Sequence, residues 1–138
     1  MTLVACYKRC VGEPAKFRIL YLDDEEMLIP LLTRMLTPSN YEVTGFVDAE
    51  EALAAFRASP SAFDAVVTDQ GMPKMSGLEF GAAIHAARPD LPIVLMSGAV
   101  DDKLRTRAAE VGIVAVLYKA TSVVEMCKGL DALLRPAT

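Results

Sequence analysis

Cysteine is scarce in this chain: Cys6, Cys10 and Cys127 are the only three among 138 residues. Thiols so few and so unevenly placed cannot build a disulfide framework, which fits a reducing compartment. Cys6 and Cys10 lie close together, yet no other cysteine or histidine stands near them to complete a metal site. The single histidine, His85, sits among alanines in a helical pattern and reads as a packing or surface residue. No apolar run approaches the ~20 residues that a membrane span requires. The segment Met1–Cys10 has only a short apolar patch before Lys8-Arg9, so it is not a secretory signal. Positive charge is lacking too: 14 Lys and Arg against 18 Asp and Glu leave a net charge of −4, with no basic stripe to neutralise phosphates. These absences argue against nucleic acid as a direct partner, and no membrane partner is expected. They lead to the expectation of a cytoplasmic protein.

What is present is a core. Hydrophobic residues make up 53% of the chain and charged ones 23%, which excludes disorder. The length suits one domain. Residues 1–16 show no period, and Gly12-Glu13-Pro14 reads as a linker, so this segment is expected to be an arm ahead of a domain over 17–136. Phe17–Leu22 reads as a strand. Leu28, Leu31, Leu32, Met35 and Leu36 then recur at helical spacing, with Pro30 kinking the first turn or delaying the regular helix. Tyr41–Phe46, more polar and broken by Gly45, suits a sheet edge. Asp48 and Glu51 form a variant capping box for a helix with Ala49, Ala52, Leu53 and Phe56 inward.

Phe63–Thr68 is a valine-rich strand running into Asp69. Beyond it, Gly71 and Pro73 prevent strand or helix from continuing, and a helical pattern begins at Leu78 and stops at Pro89. Pro92–Met96 and Ile113–Tyr118 are further strands. Between them lies a weakly apolar helix around Asp101–Val111, and after them a helix capped by Ser122 and Glu125. Five apolar strands alternating with five helical stretches predict a doubly wound α/β domain, an open parallel sheet covered on both faces.

In such sheets, ligands gather beyond the carboxyl ends of the strands. The residues at those ends are Asp23 and Asp24, Asp69, Ser97 and Lys119. Three carboxylates and one ammonium leave a net −2 in one crevice, which a divalent cation would cancel. Oxygen-only ligation favours Mg²⁺ or a similar hard ion, and the absence of His and Cys argues against zinc. An aspartate on a strand tip is a candidate nucleophile toward phosphorus, with Lys119 and the Ser97 hydroxyl available to the phosphoryl oxygens.

The pattern Asp23-Asp24, Asp69-x-x-Met72-Pro73-x-x-x-Gly77, Ser97-Gly98 and Lys119 resembles the CheY-like receiver domain of two-component response regulators. The resemblance implies a flavodoxin-like sheet in the order 2-1-3-4-5. It implies that Asp69 is the phosphoacceptor, Asp24 a direct Mg²⁺ ligand, Asp23 a ligand mainly through water, and the backbone carbonyl of Gly71 part of the metal site. Ser97 is then the hydroxyl that senses phosphorylation and Lys119 the cation on the phosphoryl oxygens. The phosphoryl donor is a phosphohistidine on a histidine kinase or phosphotransfer protein, and the output is altered binding of a downstream protein. Such a domain assists its own phosphorylation and dephosphorylation without being an enzyme in the ordinary sense.

Two positions depart from the family. Ala120 stands where proline usually follows the lysine in a cis peptide, so Lys119–Ala120 is expected to be trans, because a cis bond there costs ~2.5–4 kcal/mol. Val116 stands where an aromatic residue often acts as a rotameric switch, and a valine has no ring to swing. Tyr118 reads as strand packing, Lys103, Arg105 and Arg107 as a solvated face, and Glu25 and Glu26 as acids favourable at a helix start on dipole grounds alone.

A flavodoxin would need a Ser/Thr/Gly phosphate loop where this chain has four acids, and an aspartyl phosphatase a second acid where Gly71 stands. The closer alternative is a pseudo-receiver, which keeps the fold as an interaction module. With no output domain after the last helix, the chain reads as a free-standing receiver or one cut from a larger protein such as a hybrid sensor kinase.

Overall fold

In the computed structural model, which describes residues 16–119 and 122–134, five strands alternate with five α-helices and form one sheet. The strands are β1 (Phe17–Leu22), β2 (Tyr41–Phe46), β3 (Ala65–Asp69), β4 (Ile93–Ser97) and β5 (Ala115–Tyr118). The helices are α1 (Leu28–Leu36), α2 (Ala49–Ala58), α3 (Gly77–Ala87), α4 (Asp102–Glu110) and α5 (Val123–Leu134). All pairings are parallel, and the order across the sheet is β2-β1-β3-β4-β5, as expected. Residues 1–15, with Cys6, Cys10 and the linker reading, lie outside the described residues, as does Ala120 with the peptide bond before it.

Strand alternation builds two cores. Successive side chains on a strand point to opposite faces, so Leu20 and Leu22 of β1 face one way while Ile19 and Tyr21 face the other. The first set joins Val66, Ile93 and Leu95 beneath α2, α3 and α4, where Phe56, Phe80, Ile84 and Ala108 are buried. The second joins Val67, Val94 and Met96 beneath α1 and α5, where Leu32, Leu36, Met126 and Leu130 are buried. Every residue of β3 and β4 is buried. That explains their continuous apolar composition, and it means their polar ends are placed by a core that cannot slip register.

Several local readings are corrected. Gly45 does not break β2: it pairs with Tyr21 in mid-strand, and a Cβ there would collide with the Ile29 side chain of α1. The glycine permits close approach. Pro30 is the third residue of α1, where an amide donor has no helical acceptor, so the helix runs on from Leu28. At the start of α2 the Asp48 side chain accepts from the Glu51 amide. A fuller cap, which the sequence reading passed over, starts α3: the Ser76 side chain accepts from the Glu79 amide while Glu79 accepts from the Ser76 amide. Strand β3 begins at Ala65, and Phe63, just ahead of it, stacks on Phe56. Helix α4 is as weakly apolar as its sequence, with Ala108 its one buried residue.

Candidate functional site

The parallel ladder carries the chemistry to one place. Leu22 pairs with Thr68 and Asp69 with Met96, so the residue after β1 and the last residue of β3 lie side by side. The backbone prolongs the ladder past the strand ends: Asp23 N–H donates to Phe46 O, Gln70 N–H to Met96 O, and Lys119 N–H to Ser97 O. Asp23, Asp24 and Asp69 each present a carboxylate oxygen within 4.8 Å of the other two. Asp23 is fully buried, Asp69 is 5% exposed, and Asp24 faces solvent.

Lys119 bridges this group. Its Nζ lies 3.0 Å from Asp23 Oδ2, 2.9 Å from Glu25 Oε1 and 3.4 Å from Asp69 Oδ1. Glu25 therefore does more than the sequence reading allowed. It precedes α1, whose first turn holds no acid, so its carboxylate serves Lys119 and not the helix dipole. Four carboxylates, from Asp23, Asp24, Glu25 and Asp69, face one ammonium, leaving net −3 where the sequence count was −2.

The oxygens of Asp23 are already engaged. Oδ2 accepts from the buried Tyr21 hydroxyl at 2.7 Å, Oδ1 accepts from Glu25 N–H at 2.9 Å, and Lys119 Nζ reaches both. A carboxylate offers about four lone-pair sites, so Asp23 has little left to offer a cation directly. Asp24 and Asp69 have more. Tyr21 escaped the sequence reading because a strand tyrosine passes for core; its proximity to Asp23 on the same strand end was the available signal.

The electrostatics follow from crowding. Burial first, and the Asp23 charge second, push the Asp69 carboxyl up to about 6, against the pull of Lys119. Burial pulls the Lys119 ammonium down, but hydrogen bonds to Glu25 and Asp23 and the charges of Asp23 and Asp69 outweigh it and hold the group above its usual value. Burial and the Asp23 carboxylate raise Tyr21, keeping its hydroxyl a neutral donor. The set of oxygen donors, partly buried and short of positive charge, fits a hard divalent cation.

Ser97 ends β4, and Gly71 lies just beyond the end of β3. The Ser97 hydroxyl donates to Ala99 O at 2.9 Å and accepts from Ala99 N–H at 3.2 Å, so it is turned toward its own loop. Gly71 lies in the loop after β3, and nothing crowds the place where its Cβ would be. The start of α3 locks that loop to the strand tip. Gly77 N–H donates to Gln70 O, Leu78 N–H donates to Gln70 Oε1, and a Cβ on Gly77 would strike the Asp69 carbonyl.

The remaining residues sit away from the cluster. Val116 packs, partly buried, against the core under α4. Tyr118 is 58% exposed and not packed as the sequence reading had it, because β5 is an edge strand. The His85 ring is half-buried against Gly112, a packing role. Lys103, Arg105 and Arg107 are exposed on α4. No helix among the described residues is long and apolar enough to cross a membrane.

Comparison with known proteins agrees with this geometry. The family model for the response regulator receiver domain matches residues 19–131. The transcriptional regulatory protein PrrA of Mycobacterium tuberculosis is 34% identical over 120 residues, 86% of this chain and 50% of that protein. The two-component response regulator ARR2 of Arabidopsis thaliana is 37% identical over 84 residues, 61% of this chain and 12% of that protein. The chain thus spans half or less of these curated relatives. Among solved structures, the non-phosphorylated HemR receiver domain of Leptospira biflexa superposes with TM-score 0.79 at 28% identity, covering 89% of this chain and 98% of that one. The chemotaxis protein CheY4 of Vibrio cholerae does so with TM-score 0.78 at 26% identity, covering 87% and 100%.

Proposed function

This chain belongs to the receiver domain family of two-component response regulators, a signalling family, and from that premise we propose that Asp69 takes a phosphoryl group from a phosphohistidine on a histidine kinase or phosphotransfer protein. One Asp69 oxygen attacks phosphorus, the phosphorus–nitrogen bond breaks, and the imidazole nitrogen keeps the electron pair and takes up a proton. The observation that carries this reading is the cluster of Asp23, Asp24 and Asp69, oxygens within 4.8 Å, with Lys119 3.4 Å from Asp69. Such transfer depends mainly on positioning and charge.

Asp24, Asp69 and the Gly71 carbonyl would hold Mg²⁺, with Asp23 acting through water because its oxygens are taken. When bound, the ion supplies charge neutralisation for the phosphoryl oxygens. Lys119 pairs with one of those oxygens. Ser97 donates to another, which requires its hydroxyl to leave Ala99. That exchange releases the loop after β4 into α4, whose single buried residue gives it little hold. Beryllofluoride should therefore shift amide resonances most over residues 69–72 and 97–105, with Val116 little changed. A dominant rearrangement of Val116 or Tyr118 with the 97–105 loop still would overturn this route. The phosphorylated face then binds a downstream protein, in a cytoplasmic setting.

The test of the acceptor is acetyl phosphate with and without Mg²⁺, read by intact mass. One added phosphoryl group, dependent on Mg²⁺ and absent in Asp69→Asn, is expected. Undiminished labelling of that variant would overturn the assignment. No uptake by the folded wild type would favour the pseudo-receiver.

A further inference from the structure

We propose that Glu25 is a positioning residue that holds Lys119 back from Asp69 until a phosphoryl group arrives. This inference rests on the phosphoacceptor reading and extends it to a residue outside the metal-ligand set.

The distances carry it. Lys119 Nζ is 2.9 Å from Glu25 Oε1 and 3.0 Å from Asp23 Oδ2, but 3.4 Å from Asp69 Oδ1. An ammonium has three donors, and the two nearer carboxylates take the shorter contacts. Glu25 also fixes its neighbour, since its N–H donates to Asp23 Oδ1. One residue thus ties down Asp23 through its backbone and Lys119 through its side chain. The three carboxylates whose oxygens all lie within 4.8 Å are those of Asp23, Asp24 and Asp69. Glu25 acts on the site through Lys119.

The same geometry makes the contact releasable. The Glu25 side chain is 61% exposed, whereas that of Lys119 is 11% exposed, so water can replace the ammonium at Glu25 at little cost. A phosphoryl group on Asp69 brings new anionic oxygens to the far side of Lys119. The ammonium then moves from Glu25 toward them, and Glu25 turns to solvent. Until that point Glu25 competes with Asp69 for Lys119.

Glu25→Gln and Glu25→Asp separate reach from charge. Both should free Lys119: the first keeps the length and loses the charge, the second keeps the charge and falls short of Nζ. Each is compared with wild type for beryllofluoride affinity at saturating Mg²⁺. The Lys119 Cε–Hε resonance is followed in Mg²⁺-free buffer, where no phosphoryl chemistry occurs. In both variants beryllofluoride should bind about two- to fivefold more tightly, the scale of an exposed ion pair, and the Lys119 resonance should move. If Glu25→Asp behaves as wild type, or if neither variant alters affinity or resonance, the proposal fails. A folded wild type that binds no beryllofluoride overturns the phosphoacceptor reading and this inference with it. Binding by wild type with unchanged variants overturns this inference alone.

Discussion

The two ends of the sheet treat charge in opposite ways. At the amino end, charges are matched. Arg18 meets Asp64 through its backbone N–H at 2.8 Å and through Nε and Nη2 at 3.2 Å each, tying the start of β1 to the start of β3. Arg88 pairs with Asp90 at 2.9 Å and donates to the carbonyls of Pro60 and Phe63, closing the turn below α3. At the carboxyl end, Lys119 pairs with the three carboxylates of Asp23, Glu25 and Asp69, and Asp24 adds a fourth beside them. The same core positions both ends, so the difference is not one of fold. Matched charges fasten elements together. Unmatched ones leave a site that gains from an incoming cation.

The largest expected effect falls at the unmatched end. Asp69→Asn should lose all phosphoryl labelling and, in Mg²⁺-free buffer, unfold at a higher urea concentration, because it removes a buried charge crowded by Asp23. Burial and like-charge repulsion of this kind are worth about 1–3 kcal/mol. A variant that loses labelling and is also less stable would break the comparison, since Asp69 would then behave as a matched charge.

How far the sequence foretold this division depends on what kind of contact is involved. Asp23, Asp24, Asp69, Ser97 and Lys119 were legible as strand-tip residues because each ends an apolar run, and a parallel sheet gathers such ends. The sheet order came through the family pattern, and the edge position of β2 through its polar composition. Glu25 was not legible as a partner of Lys119, because the two are 94 residues apart and meet only through side-chain reach. Gly45 was misread as a breaker, since its collision with Ile29 is a fact of helix-on-sheet packing. The Arg18–Asp64 clasp was hidden for the same reason: nothing local to either residue announces the other. By contrast, Ser76 with Glu79 is a capping box that local spacing does announce.

An intermediate effect should come from the neutral hydroxyl that donates to Asp23 at the crowded end. Tyr21 is buried, and its hydroxyl lies 2.7 Å from Asp23 Oδ2. Tyr21→Phe keeps the ring in its core and removes only the donor, so packing is preserved. The Asp23 oxygen then relies on Lys119 alone, and loss of a hydrogen bond to a charged group costs about 1.5–3 kcal/mol. Urea denaturation should read that loss in Mg²⁺-free buffer. A change within about 0.5 kcal/mol, the range of ordinary surface substitutions, would mean that the crowded end does not depend on neutral donors to hold its charges.

The smallest effect, and the one that sharpens the contrast, belongs to the matched end. Burial pushes the Asp64 carboxyl up, but hydrogen bonds from the Arg18 side chain and backbone, together with the Arg18 charge, outweigh it and hold the group below its usual value. A carboxylate depressed by folding stabilises the protein fully above its unfolded value of about 3.9. That contribution is lost as pH falls through the lower folded value, while Arg18 stays charged throughout. The Arg18 and Asp64 side chains are 43% and 35% exposed, so solvent screening limits the charge contribution to about 1 kcal/mol. Asp64→Asn keeps an oxygen for the Arg18 amide, removes the charge, and replaces the oxygen that accepts from Nη2 with an amide donor. It should therefore be about 1 kcal/mol less stable than wild type near neutral pH. The gap should close as pH falls below about 4, and it should narrow in ~1 M salt. Urea denaturation of the two proteins side by side, across that pH range, measures it. Because every other titrating group is common to both, including those crowded around Asp69, their difference reports Asp64 alone. A gap that persists unchanged into acid would show that the clasp holds through its neutral hydrogen bonds, and the Arg18–Asp64 contact would then owe nothing to matched charge.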